Sequence, residues 1–218
     1  MLILAYLSML VDHIGAVFFP DVFMFRIIGR VSLPIFAIKL TQGYKHTKNF
    51  YYYLFRILLL AIISQPLYTS TFGYESFELL NICFLLFMGL IYIKVFEKLH
   101  EMKLNNALFY FIITFLIIAS LFIPMSYGTY GLLMILIVYY FRNDFTKFFI
   151  SFSAVSFTFV PFMGNIIQFI PLFIFPILFS LEDNKFLNID MKIIGFKYAH
   201  YLFYPLHLLL LLIIKNYV

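Results

Sequence analysis

This chain has no tryptophan, one cysteine, and so few charged residues that Asp, Glu, Lys and Arg together make up only 11% of it. Each shortage excludes something. A single cysteine, Cys83, cannot close an intrachain disulfide, and its place inside an apolar run gives it no evident redox or metal role. No Cys/His spacing suggests zinc, and no glycine-rich phosphate loop occurs. The shortage of charge rules out a water-soluble globule: 64% of the residues are hydrophobic, the mean hydropathy is +1.01, and no polar stretch is long enough to coat a soluble domain. What fills the 218 residues instead is apolar and aromatic, with 31 phenylalanines and 17 tyrosines. That composition predicts an all-α, polytopic transmembrane helical bundle in a lipid bilayer. The formal net charge of +5 is an orientation signal and not a mark of nucleic-acid binding, because Lys and Arg collect in cytoplasmic loops of membrane proteins.

Apolar runs near the length needed to cross a hydrocarbon core of roughly 30 Å fall at 1–19, 22–42, 50–66, 79–97, 106–123, 127–141, 145–161, 163–180 and 197–214. They predict about nine spans in one domain over 1–218, with no repeat and no low-complexity linker. Alternate loops hold nearly all the basic charge: Lys45 and Lys48, then Lys94, Lys98 and Lys103, then Arg142 and Lys147, then Lys185, Lys192 and Lys197. The loops between them, 19–21, 67–78, 124–128 and 161–165, contain no Lys or Arg. The asymmetry predicts a cytoplasmic N-terminus. The first span lacks a basic leader and is followed by a whole bundle, so it reads as a retained helix.

Subtracting the loops leaves a short inventory of residues that are costly in lipid: Asp12, His13, Arg26, Arg30, Arg56, Gln65, Glu78, Asn81, His200 and His207. A charged side chain at a helix centre costs on the order of 2.5 to 3.5 kcal/mol on insertion scales, so these residues are expected to face the bundle interior. At about 1.5 Å of rise per residue, His13 falls roughly 9 Å below the outer boundary, Arg26 roughly 7 Å and Arg30 roughly 13 Å. Gln65, Glu78 and Asn81 also fall on the outer side. Helical spacing places Arg26 and Arg30 on one face, and His200, Tyr204 and His207 on one stripe with Lys197. Ala5, Ser8, Asp12, Gly15 and Ala16 form a stripe of small and polar residues suited to close helix contact. His13 is rotated about 100° from Asp12, so Asp12 is expected to pair with an arginine while His13 faces a cavity. The residues alone leave two readings open: buried contacts that lock helices together, or a polar site assembled at one depth from distant segments.

The segments MLVDHIGAVFFP, FRIIGRVSLPIFAIKLTQGYKHTKN, YYLFRILLLAIISQPLY, ELLNICFLLFMGL and FKYAHYLFYPLHLLLL resemble the TraX family of bacterial inner-membrane proteins, over nearly the whole chain. The DHIG and GR-x3-PIFA segments with the closing YPLHL carry the resemblance in combination. The family's namesake N-acetylates the amino terminus of a conjugative pilin, and the family looks related to transmembrane acyltransferases of the acyltransferase-3 group. The resemblance implies a multi-pass protein of the bacterial cytoplasmic membrane that uses acetyl-CoA, or another acyl-CoA, as donor. It places His13, Arg26 and Arg30 where residues linked to acyl transfer from a CoA donor are expected. On that reading His13 is the catalytic base and Asp12 positions an arginine, while Arg26 and Arg30 hold the CoA phosphates or, alternatively, stabilise the oxyanion. The stripe with Tyr204 and His207 leads the donor through the bundle, and Gln65, Glu78 and Asn81 on the outer side bind the acceptor. The acceptor would be an exported peptide, a pilin-like protein or an envelope polymer offering an amine or hydroxyl. The rival reading is a transporter or export-complex subunit in which the same polar residues move a substrate or a proton without covalent chemistry.

Overall fold

A computed structural model describes residues 1–161, 166–182 and 199–217. Among the described residues every regular element is helical. They are α1 (Leu2–Phe18), α2 (Phe23–Gly29), α3 (Ser32–His46), α4 (Phe50–Phe72), α5 (Ile82–Glu101), α6 (Asn106–Ser120), α7 (Gly128–Phe141), α8 (Phe145–Phe159), a 3₁₀ turn at Ile166–Phe169, α9 (Ile170–Glu182) and α10 (Ala199–Tyr217). One isolated bridge, Leu80 with Met125, ties the α4–α5 loop to the α6–α7 loop.

Polar residues at the run boundaries start the helices. Asn49, Asn81, Asn105 and Asp144 each accept a backbone N–H of the first turn of α4, α5, α6 and α8, contacts that typically contribute about 1 kcal/mol each. At Asp144 the amide and the ammonium of Lys147 together hold the carboxyl below its ordinary range. Two expected boundaries move. The run at 22–42 is not one helix: it breaks at Arg30 and Val31, where i→i+3 bonds to Ile27 and Ile28 close α2. Ser32 Oγ donates to the freed carbonyl of Gly29 at 2.8 Å, and Pro34 sits in the first turn of α3, where its missing N–H leaves no gap. The run at 50–66 does not stop at Pro66; α4 continues to Phe72 and ends at Gly73, whose φ of +75° makes a left-handed cap. Gln65 therefore lies inside a helix and not at its end.

The core is centred on α7, whose residues from Thr129 to Val138 are almost all buried. Around it gather Leu33, Ile35 and Ile38 of α3, Leu85, Leu90 and Ile93 of α5, Phe148 and Phe152 of α8, and Phe175 of α9. A smaller cluster of Met9, Ala61, Tyr68, Cys83, Tyr204 and Leu208 joins α1, α4, α5 and α10. The C-terminal ends of α3, α5 and α7 meet at Glu97, which accepts the hydroxyls of Tyr44 and Tyr139. Lys45 lies over the Tyr139 ring at 5.1 Å, and Lys94 sits 3.8 Å from Glu97. The basic loops after α3, α5 and α7 thus collect at one end of the bundle. At the other end, Leu80 N–H donates to Pro124 O and Ser126 N–H to Leu80 O. Lys185, Lys192 and Lys197 lie outside the described residues.

Among the described helices, one, α4, is long and apolar enough to cross a membrane; six further apolar helical stretches are shorter. Large apolar side chains including Phe111, Phe115, Phe122, Ile150, Phe157 and Phe173 face outward.

Candidate functional site

The site forms where α1 lies against α2 and α10. Close approach of α1 and α2 depends on two glycines. A Cβ on Gly15 would lie 2.2 Å from the Cβ of Phe25, and a Cβ on Gly29 would lie 2.1 Å from Asp12 Oδ1. With neither present, the Asp12 carboxylate lies directly on the end of α2.

There Asp12 binds both arginines. Arg26 Nη1 donates to Oδ2 at 2.9 Å and Arg30 Nη2 to Oδ1 at 3.2 Å. Arg30 Nε donates to the Arg26 carbonyl at 3.2 Å, and Arg30 Nη1 to Tyr127 Oη at 2.9 Å, with the guanidinium carbon 5.2 Å from the Tyr127 ring centre. Arg30 is 3% exposed, whereas the Arg26 side chain keeps 32% of its surface. One carboxylate against two guanidinium groups leaves a net charge of +1, which favours an anion or a developing oxyanion nearby. The expectation that Asp12 pairs with an arginine is met twice over.

His13, one residue on, points elsewhere. Its Nδ1 lies 2.8 Å from His207 Nε2, with the ring planes within 18° of each other. His207 Nδ1 lies 2.9 Å from the Phe203 carbonyl. A carbonyl only accepts, so His207 Nδ1 carries the proton; His207 Nε2 then has a lone pair and takes the hydrogen of His13 Nδ1. The remaining basic atom is His13 Nε2. Phe72 covers the His13 ring edge-on at 5.1 Å. A cavity of about 210 Å³ is lined by His13, Asp12, Arg26, Arg30, Tyr68, Tyr127, Gln168 and Tyr204, among others. Gln168 Oε1 is buried there with no hydrogen-bond donor.

The sequence assigned His207 and Tyr204 to the donor. In the structure His207 is instead the direct partner of His13, while Tyr204 is on the cavity floor. Gln65, Glu78 and Asn81, expected to hold the acceptor, do not line this cavity. Gln65 Nε2 donates to Leu79 O, and its Oε1 accepts from both Asn81 N and Asn81 Nδ2; Asn81 Nδ2 also donates to Ala61 O. With every polar atom engaged, the pair clamps α4 to α5. Glu78 is exposed and accepts the backbone N–H of Glu75. The His200 side chain lies outside the described residues.

Tyr127, Tyr68 and Gln168 enter the site without having been singled out. Tyr127 has a φ of +63° and is followed by Gly128 at +50°, a strained non-glycine conformation of the kind that accumulates at functional sites. The sequence signal was the Pro124 to Gly128 turn; nothing distinguishes one tyrosine among 17.

Comparison with known proteins adds identity to this geometry. A family model described as TraX protein matches residues 1–215. A probable fimbrial assembly protein, FimC of serogroup H1, from Dichelobacter nodosus is 29% identical over 91 residues, covering 40% of this chain and 37% of that protein. An uncharacterized protein of Rickettsia prowazekii (strain Madrid E), RP591, is 35% identical over 96 residues, covering 44% of this chain and 36% of its own length. The match thus spans little more than a third of each curated relative. No solved structure matches. Since the family model covers nearly all of the sequence, this chain belongs to the TraX protein family.

Proposed function

We propose that this protein is a membrane-embedded acyltransferase of about nine spans, with its basic end on the cytoplasmic side, that moves an acyl group, most simply acetyl, from acyl-CoA to an amine or hydroxyl presented from the opposite side. The observation that carries the reading is the His13–His207 pair beside the net-positive Asp12–Arg26–Arg30 group on one cavity. A general base and a fixed cation are the two things acyl transfer from a thioester needs.

The membrane reading is supported by the outward phenylalanines and by the gathering of Lys and Arg at one end. Helices of 14 to 17 residues, such as α7 and α1, rise only about 21 to 26 Å, which a bundle accommodates by thinning the bilayer around it.

In the reaction, the acceptor nitrogen or oxygen attacks the thioester carbonyl. His13 Nε2 takes the proton lost from the acceptor, and His207 steadies the resulting imidazolium by accepting from His13 Nδ1–H. The cationic group faces the charge that develops on the carbonyl oxygen. Collapse breaks the carbon–sulfur bond, and the proton on His13 passes to the departing thiolate. His13 ends as it began, so no covalent enzyme intermediate is required. Family membership and the fimbrial-assembly description of the Dichelobacter relative favour a peptide amine, such as the N-terminus of a pilin-like protein, as the acceptor.

The test is transfer of labelled acetyl from acetyl-CoA by detergent-solubilised protein. His13→Gln keeps size and hydrogen bonding but cannot take a proton near neutral pH. It is expected to remain folded and to lose about 10²-fold or more in turnover. Near-wild-type turnover in that variant refutes the assignment of the base.

A further inference from the structure

The turn that leads into α7 is built around Tyr127. Its main chain is pinned on both sides, with Ser126 N–H donating to Leu80 O at 2.9 Å and Gly128 N–H to Met125 O at 2.8 Å. Tyr127 itself takes the left-handed φ of +63°, which a bulky side chain rarely adopts. Room for it comes from α7, where a Cβ on Gly131 would lie 2.8 Å from the Tyr127 Cβ. The outcome of this placement is a phenol on the wall of the cavity that holds His13.

The direction of one hydrogen bond then decides what the phenol can do. A guanidinium only donates, so Tyr127 Oη accepts from Arg30 Nη1 at 2.9 Å and its own hydrogen is left to be given elsewhere. Among the described residues nothing accepts it. Arg30 is in the opposite condition: it is 3% exposed, with Nε on the Arg26 carbonyl, Nη2 on Asp12 and Nη1 on Tyr127, so every nitrogen is engaged. An O–H that accepts from a fixed cation is the stronger donor for it.

We propose that Tyr127 Oη–H is the donor to the thioester carbonyl oxygen, and that Arg30 acts through it as a positioning residue. This rests on the acyl-transfer reading. As the acceptor's nitrogen or oxygen bonds to the carbonyl carbon, the π pair of the C=O moves onto oxygen, where the Tyr127 hydrogen bond shortens and strengthens. No proton leaves Tyr127. On collapse that pair re-forms the C=O, the carbon–sulfur pair departs with the thiolate, and the thiolate takes its proton from His13.

The experiment compares acetyl-CoA with acetyldithio-CoA, in which sulfur replaces the carbonyl oxygen, as donors for the solubilised full chain. Sulfur accepts hydrogen bonds weakly, so the preference for the oxygen donor reads contact with that atom, which a merely structural tyrosine would not alter. Tyr127→Phe keeps the ring over Arg30 and is expected to lose about 10²-fold in kcat with acetyl-CoA, to keep its KM, and to narrow the preference by about tenfold or more. Arg30→Met, which leaves the hydroxyl in place without its cation, is expected to narrow it as well. Adding Tyr127→Phe to Arg30→Met is expected to cost little further, because the two act as a unit. A preference as wide as that of the unmodified protein in either single variant, or one narrowed by Arg26→Gln and not by Tyr127→Phe, overturns the proposal while leaving acyl transfer intact. Absence of transfer from either donor in the unmodified protein overturns the acyl-transfer reading itself, and this assignment with it.

Discussion

Replacing Asp12 by Asn tests the energetics of the ion group most directly. The change keeps shape and removes one charge, leaving two guanidinium groups against each other without a counter-ion. Arg30 bears most of the cost because it is 3% exposed and, among the described residues, Asp12 is the full negative charge it contacts. Breaking a buried pair by removing one partner costs about 3–5 kcal/mol. Arg26, with 32% of its side-chain surface accessible, is screened and adds about 1 kcal/mol at most. A total near 4 kcal/mol corresponds to a fall in Tm of about 10 °C for a chain of this size. The measurement is thermal unfolding of purified Asp12→Asn in detergent, followed by helical circular dichroism. A second variant gives the reasoning its sign: adding Arg30→Met to Asp12→Asn removes the stranded charge and is expected to restore part of the lost stability. A single variant within about 2 °C of the unmodified protein, or a double variant less stable than the single one, refutes the argument.

Three further outcomes follow. His207→Gln keeps an acceptor for His13 Nδ1–H but cannot share a proton, so turnover is expected to fall about tenfold, less than for His13→Gln; His207→Leu, which offers no acceptor, is expected to match the His13→Gln loss in the same acetyl-transfer assay. Gln65→Leu strips Asn81 of its partner and leaves buried polar atoms unmatched, at a cost of about 1–3 kcal/mol. Turnover per folded molecule is expected to be unaltered, and a selective rise in acceptor KM would show that Gln65 contacts substrate after all. Topology reporters fused after Lys48, Lys103, Lys147 and Lys192 are expected on the cytoplasmic side and one after Gly73 on the other; a cytoplasmic Gly73 reporter overturns the orientation.

The helical class and most helix positions were legible because burying backbone in an apolar run leaves few alternatives. The errors fall where a local signal competes with packing. Residues 22–42 form one largely apolar run despite Arg26, Arg30 and Lys39, so hydropathy alone reads one helix, yet α2 ends at Gly29, where the Asp12 carboxylate occupies the space a side chain would need. Pro66 reads as a stop, but inside α4 it removes one backbone donor, the one to the Ile62 carbonyl, and the helix runs on for another turn and a half to its left-handed cap at Gly73. At Gly29 the contact comes from elsewhere in the fold, and no window of hydropathy contains it.

The site divides along the same line. That Asp12, His13 and Arg30 would be found with partners was readable, because a low-dielectric surrounding makes each ionisable group too costly to keep without one. Which partner each has was not, because pairing is set by rotation and depth together. Asp12 and His13 are adjacent in sequence and about 100° apart around α1; that angle sends the carboxylate to α2 and the imidazole to α10. His207 was assigned to the donor on the strength of a shared stripe with Tyr204, but the stripe faces α1 at the height of His13, and the nearest polar atom decides the contact at 2.8 Å. Gln65 and Asn81 show the converse. Two amides can satisfy every donor and acceptor between themselves and nearby backbone, whereas a carboxylate with two guanidinium groups retains a net charge, and an imidazole pair ending on a carbonyl retains one free basic nitrogen. A polar cluster that closes on itself holds helices together. One that ends with a charge or a lone pair left over, against a cavity, is where chemistry on a third molecule becomes possible.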